Sequence, residues 1–542
     1  MKLIGEAKNE KLRGSFYTPP IISNFILKWA MNGNNKMDIL EPSAGDGAFL
    51  RAIESNKYSY NSVTAIEIEE TEAKKAALTP LKQFRVLNMD FHDYFNETED
   101  RYDLVVGNPP FIRYQYFDNS QQDAAEKIFE KAKLKYSRLS NPWVSFVVGS
   151  SLLLKEKGKI GFVLPAEILQ VSYAAEIRNF LAHFFNKIVL VSFRRLVFPS
   201  VQQDVVLLLC EKCGIGDHLI EHIELENSSD LETAAIEYFK KPSKKIDFAS
   251  NKWTFYFLDQ SEINFIEGLV KSEHISKLGK FAKVEVGMTT GANKYFTVPK
   301  EIVDKYDLSE YSYPMVGRSV QLQSVIFTAS DWKKNVESGA RSFMLLFPTM
   351  REVSKNWRAM DYINLGIKEH INDKYYKTSI RAEWQIIPSA KISQLLFQRR
   401  NNIFPKFVLN SANAYTTDTM HRVNVKNGIN PEALVASYYN SLSLATGEIS
   451  GRSYGGGALE LMPNETENIL IPYREDNAEI LGDIDKMFRQ GKSIEEILSF
   501  TDPIILSEGY GFSSKEIMSA NRIWKKLLQR RLARGNRINL SP

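Results

Sequence analysis

The sequence MDILEPSAGDG, residues 37–47, joins a short apolar segment to a turn of small residues. Its first part has the length and composition of a buried strand, and the apolar pattern that begins at Ala48 predicts a helix. Glycine in such a turn lets a ligand approach the backbone closely. The turn is not the dinucleotide-binding G-x-G-x-x-G. It nevertheless predicts the strand, turn and helix that open a ligand-binding α/β domain.

Two further apolar segments end in acidic residues. VTAIEI, residues 63–68, places Glu67 about 20 residues after the glycines, where doubly wound folds hold ribose hydroxyls. FRVLNMDF, residues 84–91, ends in Asp90 and Phe91, which suit the amino group and the ring face of an adenine. Each acid alone is equally well explained as the charged end of a strand. Three acid-tipped strands in succession predict a nucleoside-binding edge of a sheet.

A fourth apolar segment, residues 103–107, leads into Asn108-Pro109-Pro110-Phe111. The Asn108 side-chain oxygen and the Pro109 carbonyl can accept the two N–H groups of a planar amine, and the prolines fix the backbone. Phe111 offers an aromatic face for a base turned out of a duplex. The alternative is a proline-rich turn after a strand. Together with the earlier strands, the tetrapeptide predicts methylation of a planar amino group.

In this order the motifs resemble those of the gamma-class N6-adenine DNA methyltransferases of restriction-modification systems, the TaqI-like enzymes. In that class the cofactor motifs precede the catalytic loop, and the target-recognition region follows. The resemblance covers the chain up to about residue 215. It implies a Rossmann-like sheet, S-adenosylmethionine as the cofactor, and a flipped adenine in double-stranded DNA as the substrate.

The resemblance also implies roles for individual residues. Asn108, Pro109, Pro110 and Phe111 match the catalytic motif, and Phe198 matches an aromatic residue that helps to hold the flipped base. Phe146 is implied as a second wall for the cofactor adenine. One departure from the TaqI-like pattern is Asp46, which separates Gly45 from Gly47. The implied cofactor-binding residues are Thr18, Glu41, Ser43, Ala44, Gly45, Glu67, Ile68, Asp90, Phe91 and Phe146.

Beyond about residue 250 the resemblance is limited to short fragments. VGMTTGANK, residues 286–294, and PMVGR, residues 314–318, resemble recognition-domain signatures of the same enzymes. Residues 398–402 and 452–457 add cations and flexible backbone to the same region, which suits a DNA contact or an ordinary loop. The candidate DNA-binding residues are Asn293, Lys294, Arg318, Arg399, Arg400 and Arg452.

The length of 542 residues exceeds one ordinary core and predicts more than one domain. We expect an α/β, Rossmann-like methyltransferase sheet over residues 1–245, an α+β target-recognition domain over 246–472 and a helical, basic C-terminal segment over 473–542. Helical periodicity is present from Ile480 to Leu498 and from Lys515 to Leu532. From Arg522 onward the chain carries basic residues and no acid, which suits either a phosphate-tracking helix or a solvated helix face.

Composition places the chain among soluble globular proteins, with 44% hydrophobic and 25% charged residues. We expect a cytoplasmic protein without a membrane partner, because no apolar run approaches membrane-spanning length and the N-terminal residues lack the apolar core of a secretory signal. Cys210 and Cys213 precede His218 and His222, which raises the alternative of a zinc site. The gap is shorter than in finger modules, and Cys210 closes a buried strand pattern, so we expect no metal.

The expected partner is double-stranded DNA, together with a possible cognate restriction endonuclease that acts on the same site. Monomeric action is favoured, because methylation of one strand needs no twofold symmetry. The net charge of +4 is too small to decide the partner. Three alternatives stay open: a methyltransferase for RNA or a protein glutamine amide, a bifunctional restriction-modification protein, and a non-catalytic DNA-specificity subunit.

Overall fold

The computed structural model describes residues 17–31, 36–112, 117–195, 197, 204–214, 216–247, 252–272, 274–388, 390–453 and 456–534. Its contacts divide the chain into two compact units, Met1–Ile263 and Asn264–Pro542. The division falls within a helix, Gln260–Lys271. The three-part layout with boundaries after residues 245 and 472 stays a prediction.

The first unit alternates strands and helices along most of its length. Its strands are β1 (Asp38–Glu41), β2 (Ser62–Glu67), β3 (Phe84–Asn88), β4 (Tyr102–Gly107), β5 (Leu154–Pro165), β6 (Lys187–Phe193), β7 (Val205–Glu211), β8 (Leu219–Leu225) and β9 (Lys244–Lys245). Its α-helices are α1 (Pro20–Met31), α2 (Ala48–Ser55), α3 (Glu70–Ala77), α4 (Phe91–Glu97), α5 (Asn119–Lys131), α6 (Trp143–Leu152), α7 (Ala175–Phe184) and α8 (Asp230–Thr233). Short 3-10 helices span Ala166–Leu169, Ser172–Ala174, Ile236–Lys240 and Trp253–Phe257.

These strands form one nine-stranded sheet in the order β3-β2-β1-β4-β5-β7-β6-β8-β9. The first five strands in this order, β3, β2, β1, β4 and β5, are parallel to one another. β7 runs antiparallel to both β5 and β6. The chain order reverses between β1 and β4. In open α/β sheets ligands bind beyond the carboxyl ends of the strands at such a switch point.

The segments predicted as strands are strands in the structure. The apolar parts of residues 37–41, 63–68, 84–91 and 103–107 form β1 to β4, and α2 begins at Ala48 as expected. Most residues of β1, β2, β4, β6 and β7 are buried. Their near-continuous apolar sequence follows from this burial, because helices cover both faces of a doubly wound sheet. The α/β fold class is therefore confirmed.

The second unit mixes short strands and helices. Its strands are β10 (Ser276–Lys277), β11 (Ala282–Val286), β12 (Thr297–Val298), β13 (Ser312–Val316), β14 (Phe343–Leu345), β15 (Leu395–Gln398), β16 (Arg400–Asn401), β17 (Phe407–Leu409), β18 (Tyr415–Thr416), β19 (Met420–Val425), β20 (Arg452–Ser453), β21 (Leu459–Glu460) and β22 (Leu470–Ile471). They form the small sheets β11-β19-β15-β17, β12-β14-β13-β18, β16-β21-β20 and β10-β22.

The helices of this unit begin with α9 (Gln260–Lys271), which starts in the first unit. The others are α10 (Leu278–Phe281), α11 (Asn293–Phe296), α12 (Lys300–Lys305), α13 (Ala329–Glu337), α14 (Met350–Val353), α15 (Trp357–Lys368), α16 (Ile371–Lys374), α17 (Tyr376–Ser379), α18 (Pro431–Tyr438), α19 (Ser441–Ser450), α20 (Pro463–Glu467), α21 (Leu481–Arg489), α22 (Ile494–Asp502) and α23 (Ser514–Arg534). Short 3-10 helices span Ser309–Tyr311, Ser319–Gln321 and Glu475–Ile480, and a π-helix spans Pro503–Glu508.

The C-terminal helices differ from the sequence pattern in one respect. The periodicity from Ile480 to Leu498 is continuous, but the structure breaks it into α21 and α22. Gly491 adopts a positive φ of 75° after α21, and Ser493 starts α22 with a capping box. Glycine suits the left-handed conformation that ends a helix, and a serine cap begins a new one. The predicted helical segment is therefore present as two helices joined by this turn.

Candidate active site

A cavity of about 380 Å³ opens at the carboxyl ends of β1 to β4. Its volume falls within the range that small-molecule sites occupy. All of the cofactor-binding residues predicted from the sequence line it, and so do Asn108 and Pro110. These predicted lining residues are Thr18, Glu41, Ser43, Ala44, Gly45, Glu67, Ile68, Asp90, Phe91 and Phe146. The sheet therefore brings together residues that are far apart in the sequence.

The turn after β1 is tied to the end of β2 by its backbone. The Ala44 N–H donates to the Ile66 carbonyl at 2.9 Å, and the Gly45 N–H donates to Glu67 Oε2 at 2.7 Å. Gly45 and Gly47 have φ values of 53° and 87°, which glycine adopts without strain. The glycines thus let the turn fold against β2 and leave its backbone facing the cavity.

Acidic side chains line the cavity. Glu41 is 2% exposed, and burial, together with the neighbouring charges of Glu67 and Asp46, raises its pKa well above the ordinary value. Burial also raises the pKa of Glu67, although backbone N–H groups of Glu69 and Gly45 oppose the shift. Glu41 Oε2 and Ser43 Oγ are buried without a hydrogen-bond partner in the described structure. A ligand that donates hydrogen bonds would satisfy both oxygens.

A network of hydrogen bonds holds the Asp90 carboxylate in place. Asp90 Oδ1 accepts the His92 main-chain N–H at 2.6 Å and lies 2.7 Å from His92 Nδ1. His92 Nε2 lies 2.7 Å from the hydroxyl of Ser145, and Gln121 donates to Asp90 Oδ2 at 2.6 Å. Burial raises the pKa of Asp90, but the hydrogen bonds from His92 and Gln121 outweigh it, so the pKa is lowered. The carboxylate is therefore held ionised beside the cavity.

Sequence reasoning missed His92, Gln121 and Ser145. Ser145 lies 53 positions from His92, and no spacing rule links a helix start to a residue that far along the chain. Asp90 is the N-cap of α4, whereas Ser145 lies in α6. Their contact depends on how these helices pack on the sheet, which local sequence does not specify.

The two phenylalanines predicted to flank an adenine contact one another. The rings of Phe91 and Phe146 are stacked, with centroids 4.7 Å apart and planes inclined by 24°. This separation leaves no room for a base between them. In this arrangement an adenine would lie beside the stacked pair, and only one of the rings would present its face.

The Asn108–Phe111 loop follows β4 directly. Asn108 and Pro110 line the cavity, whereas Phe111 packs against the hydrophobic core cluster of the first unit. A Cβ atom at Gly107 would lie 3.4 Å from Pro42 Cδ, so the end of β4 closely approaches the turn after β1. The loop is thus positioned at the wall of the cavity, and Phe111 is not among the residues that line it.

The remaining predicted residues fall outside this cavity. Phe198 lies outside the described residues. Asn293, Lys294, Arg318 and Arg400 are exposed in the second unit. Arg399 and Arg400 both contact Glu460 Oε1, at 3.0 and 2.7 Å, and Arg452 pairs with Glu465 at 2.8 Å. Arg399 and Arg452 therefore serve internal ion pairs, and their predicted contacts with DNA stay predictions.

The described ranges contain no group of three or more His, Cys, Asp or Glu residues that could hold a metal ion. Cys210 is buried in β7, and Cys213 is exposed. His218 Nδ1 lies 2.8 Å from the Phe185 carbonyl, and His222 Nε2 lies 2.8 Å from the Ser192 hydroxyl. None of the described helices is both long and apolar enough to cross a membrane.

Two family models match successive parts of the chain. The model for the Eco57I restriction-modification methylase matches residues 37–198, and the model for the C-terminal domain of the Type II methyltransferase M.Eco57I matches residues 250–506. The chain is homologous to Type II restriction-modification methyltransferases. The first match contains β1 to β4 and the Asn108–Phe111 loop, and the second lies almost entirely within the second unit.

Individual relatives agree with these models. The Type II methyltransferase M.AccI of Acinetobacter calcoaceticus is 25% identical over 84% of this chain and 85% of its own length. M.XamI of Xanthomonas campestris pv. amaranthicola is 22% identical over 85% of each protein. RM.Eco57I of Escherichia coli, a Type II restriction enzyme and methyltransferase, is 26% identical over 53% of this chain and 30% of its own length.

A solved structure extends the likeness in fold. The DrdV–DNA complex has a TM-score of 0.50 and 11% sequence identity, and the match covers 90% of this chain and 58% of that chain. At this identity the likeness concerns the fold alone.

Proposed function

We propose that this protein is a site-specific DNA methyltransferase that transfers a methyl group from S-adenosylmethionine to N6 of an adenine flipped out of double-stranded DNA. The observation that carries the proposal is the position of the Asn108–Phe111 loop at the wall of the acidic cavity. The homology to Type II restriction-modification methyltransferases supports it. The order of motifs, with the cofactor segments before the catalytic loop, agrees with a gamma-class, TaqI-like enzyme.

The cavity residues fit the cofactor. S-adenosylmethionine supplies an electrophilic methyl group and carries positive charge on its sulfonium and amino groups. Glu41, with its unpartnered buried oxygen, suits a cationic amino group, and the cavity-facing backbone of Gly45 allows close approach. Glu67 suits the ribose hydroxyls, and ionised Asp90 suits the adenine amino group. Thr18, Ser43, Ala44, Ile68, Phe91 and Phe146 complete the proposed binding site.

The loop residues prepare the amino group that receives the methyl. The Asn108 side-chain oxygen and the Pro109 carbonyl each accept one N–H of the adenine amine, and Pro110 fixes the backbone that aims them. Accepting both hydrogens pulls the nitrogen toward tetrahedral geometry and localises its lone pair. Phe111 stacks on the flipped base, and Phe198 helps to hold it. Positioning supplies most of the rate, and no covalent nucleophile or metal is needed.

The biological setting follows from the same proposal. The enzyme modifies sites in a restriction-modification system, in which a cognate endonuclease recognises the same sequence. It acts as a monomer in the cytoplasm. Residues 1–245 hold the catalytic site, residues 246–472 recognise the target, and residues 473–542 form a helical, basic segment. Within the recognition region Asn293, Lys294, Arg318 and Arg400 are exposed.

The test uses purified protein, labelled S-adenosylmethionine and mixed-sequence double-stranded DNA. The product is digested to nucleosides and examined for N6-methyladenine, with Asn108→Ala as the matched control. N6-methyladenine from the wild type but not from the control supports the proposal. Label on RNA or on a protein glutamine amide would contradict it, and so would a wild-type protein that binds cofactor and DNA but transfers no methyl.

A further inference from the structure

Two adjacent tyrosines of the second unit expose their side chains to solvent. Tyr375 is 38% exposed and Tyr376 is 73% exposed. Exposing a tyrosine ring to water forgoes the free energy that its burial would provide. Tyr375 and Tyr376 lie at the start of α17, between the lysines Lys374 and Lys377, which are also exposed.

The loop that precedes α11 packs against the same helix. A Cβ atom at Gly291 would lie 2.9 Å from Lys377 Cβ and 3.4 Å from the Thr378 nitrogen. Gly291 also has a positive φ of 87°, so both space and backbone geometry require glycine there. Arg381 also links this loop to the segment after α17, because its Nη2 donates to the Thr289 carbonyl at 3.2 Å.

This packing brings two distant segments onto one surface. Asn293 and Lys294 at the start of α11 are exposed next to a turn that touches Lys377. We call the set Asn293, Lys294, Lys374, Tyr375, Tyr376 and Lys377 the tyrosine–lysine surface.

The charges of this surface are available to a partner. Lys374 Nζ lies 5.8 Å from the centroid of the Tyr375 ring, and Lys377 Nζ lies 5.9 Å from that of Tyr376. Exposed cation–π contacts of this kind are weak, and they leave the ammonium groups accessible. Nearby Asp373 lies 3.3 Å from His370 Nδ1, and Asn293 donates to Asp418 at 3.0 Å. From Lys374 to Arg381 the sequence contains no acid.

We propose that the tyrosine–lysine surface binds the sugar-phosphate backbone of duplex DNA through Lys294, Lys374 and Lys377, with Tyr376 as the central contact. Lysine ammonium groups and tyrosine hydroxyls are both common donors to DNA phosphates. An exposed ring flanked by cations presents an apolar face together with positive charge, which suits a deoxyribose next to its phosphates. The inference rests on the proposed function, because it names where the DNA substrate is held outside the cavity.

The experiment measures equilibrium binding of the full chain to a fluorescent mixed-sequence duplex over a range of salt concentrations. The variants are Tyr376→Ala, Lys377→Ala and the double variant. Two exposed residues elsewhere provide matched controls, namely Tyr238→Ala, whose tyrosine is 62% exposed, and Lys333→Ala on α13. Unchanged affinity for S-adenosylmethionine and an unchanged melting curve confirm that each variant folds. A second pair, Tyr376→Gln and Lys377→Gln, replaces any alanine variant that does not fold.

Losing one phosphate contact in Lys377→Ala lowers the slope of log affinity against log salt by about 0.9. We expect Tyr376→Ala to weaken binding by about fivefold or more, since a hydrogen bond from its hydroxyl to a charged phosphate is worth at least roughly that factor. Equal affinity and slope in the double variant and the wild type would overturn the inference. An equal loss in Lys333→Ala would do so too, because it would show a general effect of charge.

The outcome is separable from that of the proposed function. If the wild type methylates adenine in DNA and the double variant has an unchanged KM for DNA, only the tyrosine–lysine surface is refuted. If the wild type binds duplex DNA through this surface but methylates no adenine, only the proposed activity is refuted.

Discussion

The imidazole of His92 connects the Asp90 carboxylate to the core of the first unit. Its Nδ1 lies 2.7 Å from Asp90 Oδ1, and its Nε2 lies 2.7 Å from the hydroxyl of Ser145. The Ser145 hydroxyl also donates to the Pro142 carbonyl at 2.8 Å. His92 is only 1% exposed, so its contact with the ionised Asp90 carboxylate is buried and charge-assisted.

Replacing His92 by phenylalanine should destabilise the protein and weaken cofactor binding. The variant keeps the ring volume but removes the His92 side-chain donor from the partly buried Asp90, which should cost about 1–3 kcal/mol in unfolding free energy at neutral pH. Because the pKa of Asp90 is lowered in the folded protein, its stabilisation is present above the unfolded pKa and is lost as pH falls through the folded pKa. The deficit should therefore shrink in acid. Urea unfolding at several pH values measures it, and a deficit independent of pH would contradict this account.

Glu41→Gln should stabilise the unliganded protein and weaken its binding of S-adenosylmethionine. Burial and the charges of Glu67 and Asp46 raise the pKa of Glu41, so its stabilising contribution is present at low pH and is lost as pH rises through the raised value. At pH 8 the variant should exceed the wild type by about 1 kcal/mol or more, and the two should converge near pH 4. Urea unfolding and titration calorimetry measure both effects. Tighter cofactor binding in the variant would show that Glu41 does not hold a cationic group.

Alanine substitutions at Gly45 and Gly47 should differ in cost. Both positions have positive φ, which costs an alanine about 1 kcal/mol. A Cβ atom at Gly47 would also lie 3.3 Å from the Ala76 Cα, whereas one at Gly45 meets nothing within 4 Å. We therefore expect Gly47→Ala to lose more unfolding free energy than Gly45→Ala. Denaturant unfolding of the two variants makes the comparison, and an equal loss would mean that α3 moves aside.

Arg531→Ala should lower the stability of the second unit without a specific effect on DNA binding. Arg531 is 1% exposed, and its guanidinium pairs with Glu448 while donating to the Asn402 carbonyl at 2.7 Å. Removing one partner leaves the buried carboxylate of Glu448 uncompensated, which costs about 3–5 kcal/mol. Lys515→Ala on the exposed side of the same helix should change stability by less than about 0.5 kcal/mol. Thermal unfolding compares them, and a stable Arg531→Ala variant with weakened DNA binding would assign Arg531 to the DNA instead.

Phe111→Ala should impair the holding of a flipped base more than the binding of cofactor. The ring is only half-buried and does not line the cofactor cavity. A 2-aminopurine placed at the target adenine becomes brighter when it leaves the stack, and the variant should reduce that signal. Cofactor affinity serves as the control, because Phe111 does not line the cavity. An undiminished signal would refute stacking on Phe111.

Much of the first unit could be read from local sequence, because its signals lie between neighbouring residues. Buried strands are continuous apolar runs, the turn at Gly45 and Gly47 needs residues that accept positive φ, and acids at strand ends reach the edge where ligands bind. Every predicted cofactor residue consequently lines one cavity. The second unit offered weaker signals, because its strands are short, with several of only two residues. Two to three residues are too few to show a period.

The sequence by itself determined the succession of strands, the glycine turn, the acidic strand ends and the Asn108–Phe111 loop, since each depends on residues adjacent in the chain. Only the tertiary structure decided which distant groups meet. It placed Ser145 behind His92, stacked Phe146 on Phe91 and buried Arg531 in a helix whose sequence suits phosphate binding equally well. It also laid Gly291 against Lys377. Such contacts arise from the packing of whole elements, and the balance of burial and charge at each of them is set by neighbours that the local sequence does not contain.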